Sequence, residues 1–186
     1  LYGVWKVARP GERPEGPRPL RVALETAGRA ILLYSASDVQ MWRTDRLGEH
    51  PFLSRLGPDV LDAGLDAAAI ARRLKSPAFS GQVLSALLLD QSFLAGMGNY
   101  LRSEVLFEAG IAPGRRPLDL DATERRRLAT ALLAVPRRSY QTQRAQAIEG
   151  EDFLTDTPRG FRFLVFDREG QRCPRCGKKV RRDELS

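Results

Sequence analysis

The chain has 186 residues, a formal net charge of +7, a pI near 10.0 and 42% hydrophobic residues. That composition excludes a disordered polymer, and the lack of any run of about eighteen apolar residues excludes a spanning helix. The positive balance points to an anionic partner, with nucleic acid ahead of a membrane surface and a merely soluble basic protein as the plain alternative.

The opening Leu-Tyr-Gly-Val-Trp lacks the basic start and small-residue cleavage site of a signal peptide, so a cytoplasmic address is expected. It enters a strand pattern at once from Leu1, the ragged start expected of a fragment. Val4, Trp5 and Val7 open a β-rich stretch, and a Pro/Gly-rich loop from Arg9 to Pro19 interrupts it. Leu20 to Leu24 alternates, Arg29 to Ser35 is a short apolar run, and Thr26-Ala-Gly28 reads as the hairpin turn between them. So small a sheet is marginal alone and is expected to need further strands.

From Pro58 the period becomes helical. Leu65, Ile70 and Leu74 share one side of a helix, with Arg72, Arg73 and Lys75 expected toward solvent. Ser80 is placed to cap a second helix running through Val83, Leu84, Leu87 and Leu88 to Asp90. A break follows at Phe93-Leu-Ala-Gly-Met-Gly98. Asn99 then caps a third helix, Tyr100 to Ala109, closed by Gly110 in a left-handed conformation. Asp121 with Glu124 forms a capping box for a fourth helix, Ala122 to Ala134, and Pro136 suits the first turn of a fifth. Residues 149–160 read as a polar linker, and Phe161 to Asp167 as a strand of a final hairpin.

The sharpest signal is Leu88-Leu-Asp-Gln-Ser-Phe-Leu-Ala-Gly-Met-Gly-Asn-Tyr-Leu-Arg-Ser-Glu104. It reads as a helix, two tight turns permitted by Gly96 and Gly98, and a helix whose first amides point outward. Small residues let backbone approach a ligand, and free N–H groups at a helix N-terminus attract phosphate. Asn99 adds a side-chain amide there, as a cap first and a phosphate contact beyond that.

Cys173 and Cys176 are the only cysteines, in Cys-Pro-Arg-Cys-Gly. Their spacing is that of half a zinc knuckle, and a redox dithiol is the rival reading. A preceding strand and turn, Gly177 and the surrounding basic residues favour the knuckle. The only histidine, His50, is remote, so half of a four-ligand site is present, and the stretch from about Gln171 onward is expected to be poorly ordered.

These motifs, in this order, resemble the formamidopyrimidine-DNA glycosylase/endonuclease VIII family over essentially the whole chain. The carrying residues are Leu-Tyr-Gly-Val-Trp at the start, Leu-Leu-Tyr-Ser-Ala-Ser-Asp at 32–38 and Pro-Phe-Leu-Ser-Arg-Leu-Gly-Pro-Asp-Val-Leu at 51–61, together with the two-turn segment and the cysteine knuckle. They look more like the bacterial endonuclease VIII branch than the 8-oxoguanine branch. The resemblance implies an α+β fold: the C-terminal part of a β-sandwich (1–58), a helix–two-turn–helix domain (59–148), a linker (149–160) and an incomplete zinc-finger hairpin (161–186). It also implies a monomer acting on damaged double-stranded DNA. Such an enzyme flips out an oxidised pyrimidine, cuts its glycosidic bond and nicks the strand by β,δ-elimination.

Residue by residue, Leu1 and Tyr2 match two members of the wedge that fills the gap left by the flipped base. Arg55 and Asn99 match DNA-phosphate contacts. Glu104 matches a helix acid, read here as structural, and Cys173 and Cys176 match the first two ligands of a structural zinc. The family's proline nucleophile, its glutamate and its lysine match nothing in this chain and are expected upstream of Leu1. The chain alone is therefore expected to be inactive, with both ends of the enzyme missing. Two further readings remain: a non-catalytic DNA-binding module of the same family, and an RNA-binding zinc-ribbon protein.

Overall fold

The structure is a computed structural model that describes residues 3–148 and 161–182, and the side chains of 143–148 are not among those described. Two compact units divide the chain: Leu1–Arg46 with Tyr140–Phe161, and Leu47–Ser139 with Arg162–Ser186. The expected linker 149–160 and the wedge residues Leu1 and Tyr2 lie outside the described residues.

In the first unit three antiparallel strands form one sheet, β1 (Val4–Ala8), β2 (Leu20–Glu25) and β3 (Ala30–Tyr34), in the order β1-β3-β2. The β2–β3 hairpin turns where expected. Thr26 N–H donates to the Arg29 carbonyl, and the Thr26 hydroxyl oxygen accepts from Arg29 N–H. Alternation along β3 buries Ala30, Leu32 and Tyr34 on one face. The opposite face carries Ile31 paired with Val7 and Leu24, all three exposed.

The second unit is helical. Asp66 caps α1 (Ala67–Lys75) by accepting from Ala69 N–H, and Ile70 and Leu74 are fully buried. The second helix, α2 (Leu84–Leu87), is much shorter than expected, and Ser80 does not cap it. Its first amides instead donate to the carbonyls of Arg115 and Pro113, so a distant loop does the work of a cap. The third, α3 (Asn99–Ala109), ends at Gly110 with φ 66° and ψ 39°, the left-handed terminus expected.

The fourth, α4 (Ala122–Ile148), starts on the expected capping box. The Asp121 carboxylate accepts from Thr123 and Glu124 N–H, and Glu124 accepts from Asp121 N–H. Arg115 beside Glu124, with that amide, holds the Glu124 carboxyl below the usual carboxylate range. No fifth helix starts at Pro136, which lies inside α4. An internal proline costs about 3 kcal/mol. Here that cost is offset by burial of Leu132, Val135 and Ser139 around it, and by Arg137 donating to the Asp62 and Leu65 carbonyls. Among the described residues no helix is long and apolar enough to cross a membrane.

Candidate nucleic-acid interface

The turns between α2 and α3 are built almost entirely from hydrogen bonds to their own backbone. Asp90 accepts from the N–H and hydroxyl of Ser92, starting the first turn. Gln91 spans the second: its Nε2 donates to the carbonyls of Leu89 and Met97, and its Oε1 accepts from Gly96 N–H.

Outside the loop, Arg73 donates to the Phe93 and Ser92 carbonyls at 3.0 and 2.8 Å while its guanidinium lies 5.0 Å from the centre of the Phe79 ring. Arg73 is thus a clamp on the turn, in place of the solvent-facing residue expected from periodicity. Its partners are 19 and 20 residues away in sequence, beyond the reach of a helical pattern.

The segment before α1 closes the other side. Gly57 N–H donates to the Gln91 carbonyl, Val60 N–H to Ala95, and Ala95 N–H to Pro58. A Cβ on Gly57 would stand 2.4 Å from the Ser92 oxygen and 2.7 Å from that of Phe93. Gly57→Ala is therefore expected to lower stability by about 1–3 kcal/mol, the usual cost of overpacking a rigid site. Equal melting midpoints for parent and variant would remove the close approach.

The two glycines of the motif differ in role. Gly96 has φ +91°, a conformation that L side chains rarely adopt. Gly98, at φ −131° and ψ −179°, is extended backbone that any residue adopts, and no atom lies within 4 Å of its Cβ position. What Gly98 provides is open space in front of α3. Gly98 is also the cap position, without a side chain to cap. Asn99 is therefore the first helical residue and not the cap that the sequence suggested. Its side chain is exposed and makes no hydrogen bond among the described residues. An uncommitted carboxamide beside the unsatisfied amides of a helix start suits an anionic oxygen.

Arg55 ends the short 3-10 turn Leu53–Arg55, two residues before the Gly57 contact. Its Nε donates to the Pro51 carbonyl at 2.7 Å, and the exposed guanidinium end forms no ion pair among the described residues.

Glu104, on α3, is 1% exposed. Its carboxylate accepts from the N–H groups of Leu164, Val165 and Phe166 at 2.9, 2.9 and 2.8 Å. Phe161 to Asp167 is therefore not the strand expected from alternation. It is an irregular segment whose amides turn to one buried carboxylate, and Phe163 and Phe166 pack edge-on against Tyr100. The Tyr100 hydroxyl also bonds that of Ser139.

The cysteine stretch is a defined turn through Arg182 and not the poorly ordered tail expected. Cys173 N–H donates to Lys178, Gly177 N–H to Cys173, and Arg172 pairs with Lys179. Amides of Cys176 and Arg175 directed at its sulfur hold the Cys173 thiol below its ordinary range. Arg175 seats the turn on α3, donating to the Glu108 carbonyl with its guanidinium 4.5 Å from the centre of the Phe107 ring. Among the described residues no group of three or more metal-ligating side chains occurs.

Sequence reasoning did not identify Gln91, Gly57 or Arg175. All three lie inside runs already singled out, the 51–61 stretch, the two-turn motif and the cysteine knuckle, but nothing local marks which of their residues brace the fold.

A family model described as "Formamidopyrimidine-DNA glycosylase H2TH domain" matches residues 56–148. The chain is 48% identical over 186 residues to "Endonuclease 8" of Escherichia coli O9:H4 (strain HS), covering 100% of this chain and 69% of that protein. It is 50% identical over 189 residues to "Endonuclease 8" of Enterobacter sp. (strain 638), with the same coverage. The fold is similar to that of the Lactococcus lactis Fpg solved in complex with DNA containing an abasic site: TM-score 0.78, 18% identity, covering 99% of this chain and 67% of that one. It is equally similar to the same organism's Fpg (MutM) in complex with DNA containing an oxidized pyrimidine: TM-score 0.78, 19% identity, covering 99% and 66%. A helix–two-turn–helix built on this motif, matched across half the chain, and near-half identity along its full length place it with those relatives: the chain belongs to the formamidopyrimidine-DNA glycosylase/endonuclease VIII family, on the endonuclease VIII side.

Proposed function

We propose that this chain is a DNA-binding part of a base-excision-repair glycosylase/AP lyase that removes oxidised pyrimidines from duplex DNA and nicks the strand by β,δ-elimination. The carrying observation is the exposed, uncommitted Asn99 amide at the start of α3, on a turn held from both sides. Arg55 supplies a cation for the same backbone, and Leu1 and Tyr2 fill the gap left by the flipped base, since stacking surface replaces the lost base. No residue among 1–186 takes the catalytic roles, and the polypeptide alone is inactive. The domain division 1–58, 59–148, 149–160 and 161–186 belongs to this reading, and the family match over 56–148 supports its second part.

Zinc fits the knuckle in part. The turn presents Cys173 and Cys176 together, with the Arg175 amide 3.4 Å from the Cys173 sulfur, a donor pattern that favours a thiolate. These residues would hold two of four tetrahedral positions, and the metal, when bound, supplies structural cross-linking.

Binding to a duplex with one abasic site tests the proposal, with single-stranded RNA as competitor. Asn99→Ala is expected to weaken duplex binding by about 1–2 kcal/mol for every sequence, with little change in salt dependence, because asparagine is uncharged. Arg55→Ala is expected to reduce the salt slope by about one unit, the loss of one phosphate-neutralising cation. Parent-like affinity for the first variant, or a parent-like slope for the second, removes that residue from the interface. Tighter binding to RNA would replace the repair reading with the RNA-binding one.

A further inference from the structure

We propose that Gln91 is a positioning residue for the phosphate contact of Asn99: its carboxamide fixes the backbone that delivers Asn99 to the start of α3. The inference rests on the DNA-backbone role of Asn99 proposed above.

Among the described residues three side chains hold the turn by hydrogen bonds. Asp90 bonds only Ser92, and Arg73 bonds only the carbonyls of Ser92 and Phe93. Gln91 alone of the three reaches past Ala95. It bonds Gly96 N–H at 3.0 Å and the Met97 carbonyl at 2.9 Å, while tying both back to the Leu89 carbonyl at 3.0 Å.

The polarity is unambiguous. The amide nitrogen meets two carbonyls and the amide oxygen meets one N–H, so a flipped carboxamide would oppose like with like at all three contacts. Gln91 is pinned in turn, because its own carbonyl accepts from Gly57 N–H at 2.9 Å.

Between the buried Met97 and Leu101 side chains, Gly98 adds no side-chain restraint to the path. Gly98 is in ordinary extended conformation with empty space at its Cβ position, and it offers no capping side chain. The direction in which the chain enters α3 is therefore set at residues 96–97, where Gln91 holds it, and Asn99 is two residues further on. Without that brace, the buried Met97 and Leu101 side chains still anchor the path, but the Gly96–Met97 peptide loses its hydrogen bonds and can tilt, carrying Asn99 with it. A phosphate contact needs a donor held within a fraction of an ångström, so loss of the brace acts through Asn99.

The test is a double-mutant cycle in the full-length protein. Its probe is a duplex carrying a stable abasic analogue, with affinity read by fluorescence anisotropy at several salt concentrations. Gln91→Met is expected to weaken binding about tenfold with an unchanged salt slope, as loss of geometry without loss of charge requires. Gln91→Met combined with Asn99→Ala is expected to bind like Asn99→Ala alone. A merely structural role for Gln91 would make the two losses multiply, and that result overturns the inference, as would parent-like binding by Gln91→Met. Should Gln91→Met fail to fold, Gln91→Glu enters the same cycle: it keeps the volume and the Gly96 bond but sets oxygen against the Leu89 and Met97 carbonyls. Multiplying losses with a weakened Asn99→Ala overturn only the role of Gln91. Parent-like binding by Asn99→Ala overturns the phosphate reading and this inference together.

Discussion

Replacing Glu104 with alanine is expected to lower the unfolding free energy by about 3–5 kcal/mol, because it strands three backbone donors in the interior at once. The carboxylate is almost fully buried, and it is the acceptor for Leu164, Val165 and Phe166 N–H. Glu104→Gln should cost roughly half as much. Oε1 serves Val165 and Phe166 and Oε2 serves Leu164, so an amide oxygen can keep two bonds while its nitrogen meets one N–H head-on. Urea melts supply the energies, and amide exchange at residues 164–166 locates the loss. Exchange that stays slow at those amides in the alanine variant would show that another acceptor replaces Glu104. A variant as stable as the parent would remove the carboxylate from the structural role given to it here.

The second large effect concerns chemistry. A polypeptide of residues 1–186 is expected to give no borohydride-trapped adduct with a duplex containing one abasic site. Schiff-base formation needs an unprotonated amine placed against the sugar C1′. In such a polypeptide the α-amine belongs to Leu1. Position is the obstacle. Leu1 is assigned above, by proposal, to the wedge that fills the base stack, and proximity accounts for about 7–11 kcal/mol of such a barrier. Pro10 is internal, and its nitrogen is a tertiary amide with no nucleophilic lone pair. Lys6 stands over the Tyr34 ring, Lys75 ends α1, and Lys178 and Lys179 belong to the cysteine turn. Binding without trapping is the expected outcome. Efficient trapping that disappears when the Leu1 amine is blocked would overturn the assignment of Leu1 to the wedge.

Much of the fold was legible because its signals are local. Alternation placed the three strands, and Thr26 to Arg29 closed their hairpin through bonds three residues apart. Gly110 and the Asp121–Glu124 box marked helix ends correctly, since caps are made by the residues beside them. The two-turn motif and the family were legible for the same reason, as one contiguous run of residue types.

Three of the errors share one cause, which is hydrogen bonding over long sequence distances. Ser80 lost its expected capping role because the loop at Pro113 and Arg115 serves the amides of α2. Pro136 starts no helix, because burial on both sides of it and the Arg137 bonds after it hold one continuous α4. The segment 161–167 alternates like a strand, yet a buried glutamate takes its amides. By itself, then, the sequence determined the order of the three strands and the first four helices, the motif and the chemical type of each candidate residue. Only the tertiary structure decided that Asn99 is uncommitted and not a cap, and that Gln91, Arg73 and Gly57 hold the turn behind it. Sequence periodicity reports which side of an element faces the core. It carries no record of which distant carbonyl a side chain will find there.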